Sequence, residues 1–124
     1  MTGWGKLGDR FTSASTAYLN EVEVTVFSGT DCCSKFMTED AICAGHEDGD
    51  KDSSAGDSGG PLVAADPARN DSMSLIGVVS YSIFVGNEPS GYSAYSEVSH
   101  FMDWLTEQMP DLNTCPPPPE GWNY

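Results

Sequence analysis

Basic residues are what this sequence most lacks: Lys and Arg number 5 against 19 Asp and Glu, for a formal net charge of -14. Such a surface repels phosphate backbones and argues against nucleic acid as a partner. It favours encounter with basic peptides, or it serves only to keep the chain solvated. Long apolar runs are absent too. No stretch approaches the ~18 apolar residues of a membrane span, so no membrane partner is expected. Met1-Thr2-Gly3-Trp4-Gly5 offers no basic region followed by an apolar run, so no signal peptide is visible. Metal-ligand spacing is also missing: Cys32 and Cys33 are adjacent, Cys43 and Cys115 stand apart, and His46 and His100 fall elsewhere. No metal or other cofactor is called for. Disulfides are the better use of these cysteines, and they imply an oxidising compartment.

What is present fits one domain of 124 residues. Residues 1–20 read as loop or edge structure. Glu21-Val22-Glu23-Val24-Thr25-Val26-Phe27 then alternates strictly, with Val22, Val24 and Val26 on one face, as a half-buried antiparallel strand requires. Ser28 to Asp31 is turn chemistry, and the cysteine pair follows with room for one helical turn. Ala41-Ile42-Cys43-Ala44 is a short apolar island that reads as a strand. From His46 to Gly60 the chain is polar, acidic and glycine-punctuated, hence a loop.

Pro61 to Ala65 and Met73 to Tyr81 form a plausible hairpin, with Pro at the first strand position, where a missing N–H is tolerated. Gly86 to Gly91 reads as a loop and Tyr92 to Val98 as a last strand. Val98, Phe101, Met102 and Leu105 then follow helical spacing, with Trp104 beside them, Ser96 or Ser99 as cap and Pro110 as stop. Cys115 and the prolines after it predict an extended tail. Asn70-Asp71-Ser72 is a glycosylation sequon if the chain is secreted.

The segment with chemical content is Asp52-Ser53-Ser54-Ala55-Gly56-Asp57-Ser58-Gly59-Gly60-Pro61. It places a serine among glycines in a loop just before a strand. Glycines let backbone N–H groups turn toward one point and let a substrate approach closely. Two convergent N–H groups beside a hydroxyl are what an oxyanion hole needs. Two other readings of this region fail. Gly56-x-Ser58-x-Gly60 matches a nucleophile elbow, but a polar loop precedes the serine and Pro61-Leu62-Val63 follows it, where a strand and a helix are required. Asp48-x-Asp50-x-Asp52 suggests a calcium loop, but Ser53 and Gly59 stand where Gly and Glu are needed.

Gly56-Asp57-Ser58-Gly59-Gly60-Pro61 resembles the GDSGGP signature around the nucleophile of trypsin/chymotrypsin-type serine proteases. Thr2-Gly3-Trp4-Gly5 resembles the segment that opens that family's second barrel. Ala41 to Gly45, Leu75 to Ser80 and Val98 to Leu105 resemble its MICAG, GVVS and closing-helix segments, in family order. The resemblance implies an all-β fold: a six-stranded antiparallel barrel with a C-terminal helix over residues 1–109, followed by a Pro-rich tail over 110–124. It implies a serine endopeptidase, secreted, acting on protein or peptide substrates.

Residue by residue, the resemblance makes Ser58 the nucleophile, with Gly56 and Ser58 supplying the oxyanion N–H groups. Asp57 would take the ammonium released on zymogen cleavage. Asp52 would lie at the base of the specificity pocket and select Arg or Lys, with Ser82 and Ser93 on its walls. Ser80, Tyr81 and Ser82 would pair with the substrate backbone. Cys43 would bond Cys32 or Cys33.

The departures from the pattern are equally specific. The family's catalytic histidine and aspartate come from its first barrel, and no matching motif is present, so the chain reads as an incomplete enzyme that needs a first-barrel segment. His46 lies in the acidic loop and His100 on the closing helix, as surface histidines do. Ser82 and Ser93 replace wall glycines and narrow the pocket, and Tyr81 replaces the usual Trp. Ser54 and Ala64 stand where the family has cysteines. The alternative is a non-catalytic homologue kept as a binding module, against which retention of Ser58, Asp57 and Asp52 counts.

Overall fold

The computed structural model describes residues 1–8, 13–27, 37–67, 70, 72–85 and 88–111. Expectations for Cys32, Cys33, Cys115, Asp71, the helical turn near the cysteine pair and the Pro-rich tail lie outside those residues. Strands dominate. They are β1 (Thr2–Gly3), β2 (Asn20–Glu21), β3 (Thr25–Phe27), β4 (Ala41–Gly45), β5 (Pro61–Asp66), β6 (Ser72–Val85) and β7 (Glu88–Glu97). A 3-10 turn over Val98–Phe101 leads into the helix α1 (Met102–Gln108). No helix among the described residues is long and apolar enough to cross a membrane.

The strands form an antiparallel five-stranded sheet in the order β3-β4-β7-β6-β5, beside the small β1-β2 pair. Register shifts interrupt β5 against β6 at Leu62/Val63, and β6 against β7 at Val79/Tyr81 and Ser82/Phe84. Such bulges bend a strand and increase its twist, so the sheet curls. They also change which face a side chain meets. Val79 joins a core of Met1, Ala44, Leu62 and Tyr95, whereas Ile83 packs with Cys43 in a second cluster lined by Phe27, Met37 and Tyr92. On β4 the period-two rule holds plainly: Ile42 and Ala44 face the first cluster and Cys43 the second. Phe27 meets Tyr92 edge to face, with ring centroids 5.1 Å apart.

The strand expected over Glu21–Phe27 is split. The Met1 ammonium donates to the Val22 carbonyl and the Val22 N–H donates to Met1 O, which pulls the chain toward β1. Past a short gap it re-enters pairing as β3, on the edge of the larger sheet. Val22 and Val24 reach the core as the alternation requires, but Val26 is exposed. The break is a chain changing sheets at a corner.

The β5–β6 hairpin forms as expected, with Pro61 opposite Val78. The loop expected over Gly86–Gly91 is shorter, because Phe84 pairs with Pro89 and Val85 with Glu88. The closing helix is weaker than its spacing suggests. Its first turn is 3-10, Trp104 is 58% exposed, and no residue of it is fully buried. Neither Ser96 nor Ser99 caps it; the Ser99 hydroxyl donates to Glu97 instead.

Tyr95 is the largest fully buried side chain, and its hydroxyl donates to Met1 Sδ at 3.2 Å. Burial foremost, then the charges of Asp52 and Asp57, pushes its pKa up to about 12 against an opposing hydrogen bond with Ser53. A phenol that ionises later in the folded chain than in the unfolded one stabilises the fold fully below pH 10.0 and loses that contribution as pH rises through about 12. An absorbance titration of phenolate should therefore find Tyr95 resisting ionisation. The denaturation midpoint should fall across the same range, and fall less in Tyr95→Phe. Complete ionisation of a still-folded chain by about pH 11 would contradict this.

Candidate active site

The site lies on the loop between β4 and β5. Its near end is pinned to β7, where His46 N–H donates to the Gly91 carbonyl at 3.2 Å. Side chains are excluded from that crossing, since a Cβ on Gly45 would collide with Gly91 O. Its far end is pinned to β6 by a reciprocal pair: Gly59 N–H donates to Val79 O and Val79 N–H to Gly60 O, both at 2.9 Å.

Between these anchors the loop is organised around Asp57, which is only 9% exposed. Its Oδ1 accepts the Gly5 N–H at 2.8 Å and its Oδ2 the Ser54 N–H at 2.9 Å. Its own N–H donates to Ser54 O at 3.0 Å, and its carbonyl accepts Gly60 N–H at 2.8 Å. Lys6 N–H donates to Ala55 O at 3.1 Å, which adds a second tie to the β1 segment. Gly3 and Gly5 are required for space, because a Cβ on either would be driven into the Asp57 carboxylate. Among the described residues the donors to this carboxylate are neutral backbone groups. The Met1 ammonium is engaged elsewhere, on Val22 O.

Ser58 follows Asp57 and is exposed. The glycines flanking the Asp57-Ser58 pair take φ of +105° at Gly56 and +80° at Gly59, a region that side chains disfavour. Among the described residues no carbonyl accepts the N–H of Gly56 or Ser58, so both donors remain available. The arrangement can present a hydroxyl beside two unspent N–H groups. Among the described residues no histidine or carboxylate is hydrogen-bonded to that hydroxyl. His46 Nδ1 lies 2.7 Å from Asp50 Oδ1, and His100 stacks on Phe101 with centroids 5.2 Å apart.

The residues expected to form a pocket are brought together. Asp52 Oδ1 accepts Ser53 N–H at 2.6 Å. The Ser53 hydroxyl donates to Ser93 Oγ at 2.8 Å, and the Ser93 hydroxyl to Ser82 Oγ at 3.4 Å. On β6, Ser80 and Tyr81 are exposed and Ser82 is half-buried. Cys43 is disulfide-bonded, with its partner outside the described residues. One group has metal-ligand proximity among the described residues: His46, Asp48 and Asp50, whose donor atoms lie within 4.8 Å of one another. Both aspartates are exposed, and the histidine's approach to Asp50, though close, lacks hydrogen-bond geometry. Sequence reasoning missed Ser53 and the role of Gly3 and Gly5 as a seat for a carboxylate. The Gly-Trp-Gly spacing was a signal of close approach; for Ser53 there was none.

Gly5→Ala should destabilise the chain by about 1–3 kcal/mol, the usual range for overpacking, in chemical denaturation. The cost should shrink to about 0.5 kcal/mol in an Asp57→Ala background, since the colliding group is then gone. An undiminished cost in that background would place the strain elsewhere.

Comparison with known proteins agrees with this geometry. The family profile described as Trypsin matches residues 1–105. The chain is 37% identical over 113 residues to the atrial natriuretic peptide-converting enzyme of Homo sapiens, covering 88% of this chain and 10% of that protein. It is 37% identical over 111 residues to mannan-binding lectin serine protease 1 of Mus musculus, covering 85% of this chain and 15% of that protein. It is 34% identical over 114 residues to the proclotting enzyme of Tachypleus tridentatus, covering 88% and 29%. The chain thus spans a minor part of each relative's length. A mostly β, curled antiparallel sheet with a short closing helix, and a Gly-Asp-Ser-Gly-Gly-Pro loop seated on a Gly-Trp-Gly segment, accord with that match: the chain belongs to the trypsin family of serine proteases.

Proposed function

We propose that this chain carries the nucleophile-bearing half of a serine endopeptidase, cutting peptide bonds through an acyl-enzyme on Ser58. The observation that carries the reading is the Ser58 loop itself. An exposed serine sits between two positive-φ glycines, on a backbone fixed by a buried Asp57, with the N–H groups of Gly56 and Ser58 unspent. In the proposed reaction Ser58 Oγ attacks the scissile carbonyl and gives its proton to a histidine base, which delivers that proton to the leaving amine. Water then hydrolyses the ester by the same route. Gly56 and Ser58 N–H hold the oxyanion. Histidine and its aspartate come from a first-barrel segment outside this chain.

The remaining roles follow from the same family membership. Asp57, held by neutral donors, is the acceptor for a new N-terminal ammonium. Ser80, Tyr81 and Ser82 form the strand that pairs with substrate backbone. Asp52 is the charged base of the specificity pocket, a feature that would attract Arg or Lys only if the pocket walls leave it open to substrate. The curled sheet and the β1–β2 pair close as the six-stranded barrel of a domain over residues 1–109. Cys43 pairs with Cys32 or Cys33. Its oxidised state, together with the family, supports a secreted protein.

Labelling with a radiolabelled fluorophosphonate tests this. The folded chain alone should label no faster than its Ser58→Ala variant. Addition of a first-barrel segment bearing histidine and aspartate should restore Ser58-dependent labelling by about 10⁶-fold, the scale of losing the triad histidine. Labelling of the chain alone would mean that the base is on this chain. No labelling with the segment bound would leave the binding-module reading in possession.

A further inference from the structure

Hydroxyls buried inside a sheet need partners, and three serines here find them in one another. Ser93 is 0% exposed and Ser53 5%. The donors run in one direction, Ser53 to Ser93 to Ser82. These side chains come from separate segments: Ser53 from the loop beside Asp52, Ser93 from β7 and Ser82 from β6. Ser82 and Ser93 are cross-strand partners, so their side chains share one face of the sheet. The hydroxyls therefore form a bar from the Asp52 loop to β6.

A side chain entering between that loop and β6 would have to lie against Ser93. Were there a channel beside it, water would touch it as well. Its complete burial means that no water-sized space adjoins it. Asp52 Oδ1 is also engaged by its neighbour's N–H. A guanidinium or ammonium would have to break the hydroxyl chain to pass it, and would leave buried oxygens unpaired, which opposes its entry.

We propose that the Ser53–Ser93–Ser82 hydroxyl chain closes the pocket in front of Asp52, so that the site takes a small uncharged side chain, such as Ala or Ser, before the cut and excludes Arg and Lys. This rests on the reading of the Ser58 loop as a protease site and fixes its substrate class. Ser93 acts as the bar, Ser53 and Ser82 as its two posts.

The test is a fluorescence titration of the full chain with p-aminobenzamidine, a flat cation that seeks a pocket carboxylate and needs no working nucleophile. The native chain should show no saturable binding up to about 1 mM, Ser93→Gly should bind tighter by about ten-fold or more, and adding Asp52→Asn should abolish that gain. Binding to the native chain as tight as to Ser93→Gly overturns the proposal, and so does a folded Ser93→Gly that gains nothing. If circular dichroism shows Ser93→Gly unfolded, Ser82→Gly carries the same two outcomes. A second arm uses peptidyl phosphonates ending in Ala or Lys on the chain with its first-barrel segment. The alanyl reagent should acquire the Ser58 adduct faster by about ten-fold, and the reverse order overturns the proposal. Adducts from neither reagent would sink the nucleophile reading, while the benzamidinium titration still decides the pocket.

Discussion

A carboxylate taken out of water must be given donors, and much of this site follows from how Asp57 receives them. Two hydrogen bonds to a charged acceptor contribute about 1.5–3 kcal/mol each, comparable with the several kcal/mol that burial of one ion costs. Both donors are backbone N–H groups, from Gly5 and Ser54, so the carboxylate ties its own loop to the β1 segment. That tie is possible only because Gly3 and Gly5 leave room for it. With Asp57 turned inward, the residue after it is turned out, and Ser58 is presented to solvent with the N–H groups of Gly56 and Ser58 unspent among the described residues. The glycines of this loop are thus consequences of one buried charge and the turn it forces.

The interior and the proposed pocket are not separate structures. Tyr95 packs with Met1, Leu62 and Val79 in the core, yet it also feels Asp52 and Asp57 and hydrogen-bonds Ser53. Ser93, two residues away on β7, points to the hydroxyl chain. A change that loosens the core around Tyr95 therefore reaches the pocket through the same strand. The bulges in β6 serve the same junction, since they let one strand feed a core residue at Val79 and a residue of the proposed pocket at Ser82.

Local signals were readable where partners were near in sequence. Pro61 and the apolar run after it announced the β5–β6 hairpin, and Ala41–Ala44 announced β4. They failed where a distant residue decides. The strand through Val22 is split by pairing with Met1, which no period-two pattern contains. Val98, Phe101, Met102 and Leu105 kept helical spacing, but the sheet offers them too little cover, so Met102 and Trp104 remain exposed and the first turn tightens to 3-10. Ser58, Asp57 and Asp52 were singled out through a motif. Ser53 was not, because its meaning depends on Ser93 across the loop and sheet. The roles of Gly3 and Gly5 were missed as well, because what needs the space is a carboxylate more than fifty residues away in sequence.

The central claim is that the Asp57 carboxylate, seated on the β1 backbone, orders the loop that presents Ser58. Amide hydrogen exchange in the chain and in Asp57→Ala tests it most directly. The account predicts that protection at Gly5 and Ser54 falls by about ten-fold or more, while amides in β4 and β7 keep theirs. Unchanged protection at Gly5 and Ser54, or an equal loss throughout the sheet, would contradict it.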